Sequence, residues 1–478
     1  MAGRVLDKVL SGGKAVLPDG AILEADIGIA DGRIAAIAAP ETLTAEVAVD
    51  VKGLLIMPGI VDAHIHLGHG ADISRPRISR DAETESAAAA AGGVTTFLSY
   101  VISGKPFEPA LIDEVCAVTA AGSRVDFGLH LVISTEEQLA DVPSYAKTYG
   151  IPSFKLFMYS RGGEGLRIGL PDIDDGFLFR LAEAVAKCQG ILCPHCENIE
   201  VAWVLGRRLM AADPEGKGGL AAWNDSRPPF VEAEAVHRVA TLARQVGAPV
   251  YMVHCTSEAA LEAALAQRRL GTDLTIETCT HYLTHTIDWT GGDVGKVGPP
   301  IRKASDIEAL WAALKAGKID VVATDHVHRH VAAKAGGIWK ASPGFPGLQT
   351  LLPALLSEGY HKRGVPLDLI ARVLSQNPAR VMGCQSKGAI AVGRDADFAI
   401  VDLERAWVAD STGMFSDAGF SIYDGWQFKG KDIHSMVRGR FVYRDEQLCA
   451  DAIGHGRYIR RSIAPGRARA QTNRTAQR

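Results

Sequence analysis

The chain has 478 residues, 47% hydrophobic and 22% charged, a composition that can bury a large core and excludes both a disulfide mini-scaffold and bulk disorder. Lys and Arg total 51 against 55 Asp and Glu, a formal charge of −4, so nothing attracts nucleic acid or an anionic membrane and a small-molecule partner is expected. No apolar run approaches the ~20 residues that cross a bilayer. The first eight residues carry charge and no secretory apolar stretch, which predicts a cytoplasmic location. Residues 1–58 read as short strands at 15–17, 21–29, 33–38 and 47–56, with turns at Pro18-Asp19-Gly20 and Asp31-Gly32. The central region alternates short apolar strands with amphipathic helices. Strand candidates fall at 59–66, 94–101, 126–133, 153–159, 191–197, 249–256, 274–280 and 320–325, and helical runs at 81–91, 177–187, 232–246, 257–269 and 305–316. Eight β/α units predict an α/β TIM barrel over 59–384. Strand patterns return at 398–401 and 435–443, so 1–58 and 385–465 are expected to form one composite β-sandwich domain, with 466–478 as a loose tail.

The eight cysteines are read as free thiols in apolar surroundings, and Cys193-Pro-His-Cys196 lacks the second CxxC of a zinc knuckle. The polar residues that end the strands carry more information. Alternation aims His64 and His66 from one strand into the same barrel mouth, where Lys155, His195, His254 and Asp325 end other strands. Imidazole and carboxylate donors of this kind suit zinc and similar divalent metals.

In order along the chain stand Met57-Pro-Gly-Ile-Val-Asp-Ala-His-Ile-His66, Ala90-Ala-Gly-Gly-Val-Thr-Thr96, Ser153-Phe-Lys-Leu-Phe-Met158, His195-Cys-Glu-Asn198, Val253-His-Cys-Thr-Ser257 and Glu277-Thr-Cys-Thr-His-Tyr282. Gly298-Pro-Pro-Ile-Arg302, Ala323-Thr-Asp-His326, Asn377-Pro-Ala-Arg380 and Gly393-Arg-Asp-Ala-Asp397 follow. As a set these motifs resemble the amidohydrolase superfamily, and within it the cyclic amidohydrolases: dihydropyrimidinase, D-hydantoinase, allantoinase and dihydroorotase. The resemblance implies a hydrolase of carbon–nitrogen bonds in cyclic amides. His64, His66 and Asp325 would hold one metal ion, His195 and His254 a second, both expected to be zinc. Lys155 would bridge them as N6-carboxylysine, made with CO2, because an ammonium repels metal. Asp325 would also act as the catalytic base toward a bridging hydroxide and then protonate the leaving nitrogen. The family also implies a homotetramer.

The ring itself is left open. Ser226-Arg-Pro-Pro-Phe-Val-Glu-Ala-Glu234 resembles dihydropyrimidinase, whereas Trp339-Lys-Ala-Ser-Pro-Gly-Phe-Pro-Gly-Leu-Gln-Thr-Leu-Leu-Pro353 is more similar to allantoinase. Gly68 stands where dihydroorotase has an arginine, which disfavours that enzyme. Tyr159 lies four residues after Lys155 where relatives place a tyrosine fifth, leaving it an oxyanion donor or a packed strand-end ring; Cys279 is a candidate substrate contact. Arg75 and Arg77 could meet an anionic substituent, and His326, His328 and His330 could line the pocket or lie outside it. Non-cyclic amides, ureas and carbamates remain as alternative substrates. A non-catalytic scaffold would lack metal ligands, and here every ligand position is filled.

Overall fold

The computed structural model describes residues 6–463, so the tail expected at 466–478 lies outside the described residues. Eight parallel barrel strands follow one another in chain order: Ile60–His66, Val94–Val101, Asp126–Val132, Ser153–Phe157, Ile191–His195, Val250–Met252, Leu274–Cys279 and Val321–Ala323. Most end a few residues before the expected limits, because the chain turns away once it reaches the polar mouth. The eighth strand is broken. Val321–Ala323 pairs with the seventh strand and His326–Val327 with the first, which closes the ring. Between them Asp325 adopts a φ of 48°, and the Thr324 hydroxyl donates to Asp62 Oδ2 at 2.6 Å. The fold is thus an α/β TIM barrel, whose loops at the carboxyl ends of the strands build the site.

The helices match their apolar periodicity. Asp175–Lys187 buries Phe177, Leu178, Leu181 and Val185 and starts where the Asp174 side chain accepts the Phe177 amide at 2.7 Å. Burying each such side chain contributes about 1.5–3 kcal/mol. Pro229–Val246 opens with a proline in its first turn, where no amide partner is lost, and stops at Gly247 in the left-handed region. Helices Pro109–Gly122, Ile199–Ala212 and Gly219–Ser226 occupy connections that had no assigned helix. Among the described residues no helix is long and apolar enough to cross a membrane.

Strands from both ends of the chain join in one nine-stranded sheet, where Leu55–Pro58 pairs antiparallel with Phe398–Val408. Leu10, Ile27, Ile56, Phe398 and Met436 share its core. Three expectations need correction. The run 47–56 is two strands, Val47–Asp50 and Leu55–Pro58, parted by a turn in which Gly53 takes a φ of 83°. The first strand runs over Lys8–Val16 rather than 15–17, because a bulge between Leu10 and Gly13 keeps the Gly12-Gly13 pair within the strand. The run 435–443 is not one strand but the turn of a hairpin between Gln427–Val437 and Arg440–Arg444, with Arg438 and Gly439 both at positive φ.

The buried Lys387 ammonium links the sheet to the barrel, donating to Asp126 Oδ2 at 2.5 Å and Asp397 Oδ2 at 2.7 Å and pairing with Asp395 Oδ2 at 3.0 Å. Removing the cation would leave Asp397 buried without a counter-charge and Asp126 with Arg438 alone. Lys387→Met is expected to cost about 3–5 kcal/mol of stability, measured by urea unfolding. A loss under 1 kcal/mol would contradict this.

Candidate active site

The strand ends open into a cleft of about 270 Å³ whose floor carries His64, His66, Lys155, His195, His254 and Asp325. The six residues predicted as ligands thus come together in one place. Asp325 Oδ1 lies 3.1 Å from His64 Nε2 and 3.7 Å from His66 Nε2. His195 Nδ1 and His254 Nε2 face each other at 2.9 Å, and Lys155 Nζ lies 3.5 Å from His64 Nε2. The positive φ of His254 and Asp325, 42° and 48°, turns both side chains inward where a plain strand would carry them past the mouth.

Two acids that received no role from sequence orient the rings. Glu277 accepts from His64 Nδ1 at 2.7 Å, from the Tyr251 hydroxyl at 2.6 Å and from the His254 amide at 2.8 Å. Glu197 takes His195 Nε2 at 2.7 Å. In the neutral tautomers that these bonds select, His64 Nε2 and His195 Nδ1 turn their lone pairs into the cleft, toward Asp325 and His254. Among the described residues the buried His66 Nδ1 has no hydrogen-bond partner. Such convergence of lone pairs is unfavourable without a cation among them, and the nitrogen and oxygen donors fit a zinc-like metal.

Burial pulls the pKa values of His66, His195 and His254 down, so these rings are neutral and able to ligate at neutral pH. Burial opposes the charge of Asp325, but His64, His254 and His66 around it hold its carboxyl well below the usual range. Lys155 is wholly buried against the rings of Tyr100 and Phe157, 4.6 and 5.3 Å from its Nζ. Burial lowers its pKa against the pull of Asp325 and Glu277.

Tyr159 lines the cleft with its ring edge-on to His195 at 4.9 Å. Cys279 does not: its side chain, the last of the seventh strand, is fully buried in the barrel core before the helical turn at Thr280–Leu283. Arg75 and Arg77 stand outside the cleft, paired with Glu114 and Asp72. His326 and His328 are also outside, engaged with Glu85 and Asp417. A side chain at Gly68 would collide with the Asp72 carbonyl, so this loop cannot carry the arginine of a dihydroorotase. The cations that do line the cleft are Arg167, Arg227, Lys296 and Arg329, which sequence reading missed because they come from four separate loops. Glu277 and Glu197 did leave a signal: an acid inside an apolar strand, and an acid two residues beyond a strand-end histidine.

Residues 212–442 match the amidohydrolase family. The chain is 33% identical over 454 residues to an allantoinase of Solibacter usitatus, covering 93% of this chain and 95% of the relative. It is 34% identical over 460 residues to an allantoinase of Deinococcus radiodurans, covering 93% and 96%. Among solved structures it is similar to an L-hydantoinase (dihydropyrimidinase) from Arthrobacter aurescens, with a TM-score of 0.87 and 29% identity over 95% of this chain and all of the other. With identity of this level along nearly the whole length, the chain belongs to the amidohydrolase family, in its cyclic amidohydrolase branch.

Proposed function

We propose that this protein opens a cyclic amide ring by C–N hydrolysis, with two divalent cations, zinc by donor chemistry, and a carboxylated Lys155. The observation that carries this reading is the convergence of six candidate ligands on the floor of one cleft. His64, His66 and Asp325 would hold one ion and His195 and His254 the other, with N6-carboxylysine 155 between them. Cations bound there polarise a substrate carbonyl and lower the pKa of water.

The chain's own groups do the rest. The lowered pKa of Lys155 favours the neutral amine, whose lone pair forms an N–C bond to CO2 with release of a proton. The Asp325 carboxylate takes a proton from the attacking water and returns it to the ring nitrogen as the C–O bond forms and the C–N bond breaks. Tyr159, its hydroxyl kept protonated because burial pushes its pKa up, donates toward the oxygen that gains charge. Ile73, Phe157 and Val297 narrow the cleft and exclude water from the reacting carbonyl. A second reading, allantoin as the ring, is favoured by the relatives named allantoinase. On the family pattern the enzyme works as a cytoplasmic homotetramer, which sedimentation and fractionation test.

Hydantoins, dihydrouracil, allantoin, cyclic imides and phenylureas assayed at neutral pH should give turnover with at least one ring compound and about two metal ions per chain by elemental analysis. Activity confined to phenylureas, or full activity without bound metal, would reject the proposal. Lys155→Ala should lose roughly a hundredfold or more in kcat. Acetate or propionate should restore part of it by filling the vacated space, and reconstitution of the unaltered enzyme should depend on bicarbonate. An ordinary structural lysine makes the opposite forecast, near-normal turnover with full metal. Glu277→Gln keeps the shape but weakens its hold on His64, and metal affinity should fall about 10–100-fold in a chelator competition.

A further inference from the structure

Four loops bring cations to the mouth of the cleft, and the carboxylates there do not balance them. Arg167 has Glu164 at 3.4 Å, and Arg227 has Glu197 at 3.8 Å, an acid already bonded to His195. Lys296 and Arg329 have no carboxylate within ion-pair distance among the described residues. Lys296 is 1% exposed, donates to the Trp339 carbonyl at 3.2 Å and lies 4.3 Å from the Trp223 ring centre. Among the described residues Arg329 donates only to the carbonyls of Ala71, at 2.9 Å, and Pro343, at 3.4 Å. The acid nearest in influence, Asp72, is committed to Arg77 at 2.7 Å. Carbonyls and ring faces orient a cation without neutralising it, and a charge withdrawn from water is costly until an anion meets it.

We propose that Lys296 and Arg329, flanked by Arg167 and Arg227, form an anion subsite, and that the ring substrate therefore carries a carboxylate substituent. The proposal rests on the cyclic-amide reading above. The ring would sit over His64 and Asp325, with its substituent between the loops that follow the seventh and eighth strands. Burial and the neighbouring Arg167 and Arg227 push the Lys296 pKa down to about 7, against the pull of Asp293. The guanidinium of Arg329 offers the two-pronged geometry that carboxylates accept, whereas Lys296 acts as a point charge behind it.

The test compares the carboxymethyl derivative of hydantoin with its neutral carboxamide, which has nearly the same shape, on the metal-loaded enzyme. The anion is expected to show a kcat/KM about tenfold or more above the amide. Arg329→Gln and Lys296→Met should each lower that ratio severalfold, and Arg329→Lys, which keeps the charge but not the two-pronged contact, should recover only part of the loss seen in Arg329→Gln. A ratio of one or below in the unaltered enzyme, or a preference for neutral allantoin over the anion, would overturn the subsite while leaving ring opening intact. If neither ring is opened, calorimetric titration of both compounds decides. Tighter binding of the carboxylate by the same factor keeps the subsite and removes the ring-opening reading; equal binding, or none, removes the subsite.

Discussion

Glu277 lies in the middle of the seventh barrel strand, sealed from solvent, and takes hydrogen bonds from a ring, a hydroxyl and an amide on other strands at 2.6–2.8 Å. A carboxylate so deeply buried costs several kcal/mol unless its lone pairs are met, and these three donors meet them. Because His64 Nδ1 is engaged below, Nε2 must face the mouth; because the His254 amide is held, its backbone stays in the left-handed region that turns the imidazole toward His195. The positions of two rings on the cleft floor thus depend on one acid that lies beneath them.

The break in the eighth strand complements this. A continuous strand would place Asp325 in the ladder, half of its surface against a neighbour. Instead Val321–Ala323 ends its pairing, Thr324 ties to Asp62 at the root of the first strand, and Asp325 swings over His64 and His66 before His326–Val327 resumes pairing on the other side. Closure of the barrel and presentation of the carboxylate are achieved by the same irregularity, and the backbone strain at Asp325 is held by ladders on both flanks.

The floor and the rim of the cleft follow different electrostatic rules. On the floor, acceptors and neutral rings converge, an arrangement stable around divalent cations. At the rim, guanidinium and ammonium groups are oriented by carbonyls and by the Trp223 face, which Lys296 and Arg227 both approach. A floor that polarises a carbonyl and a rim that attracts negative charge together select both a bond and a substituent.

Local chemistry in the chain was sufficient for the barrel and for the polar strand ends that meet at its mouth. Period-two apolar runs, helix caps and strand-end histidines depend only on residues a few positions apart, so His64, His66, Lys155, His195, His254 and Asp325 were legible before any coordinates. The hairpin at Arg438-Gly439 was read as one strand, and the first strand was begun too late at residue 15, because glycine alone does not distinguish a break from a bend within a sheet. What tertiary structure decided were matters of distance between remote segments. Glu277 reaches across three strands, Cys279 sinks into the core where register carries it, and Arg167, Arg227, Lys296 and Arg329 meet only because four loops share one end of the barrel. A cation's role depends on whether an acid stands beside it, and pairings such as Lys387 with Asp126 or Arg75 with Glu114 span separations that no local pattern records.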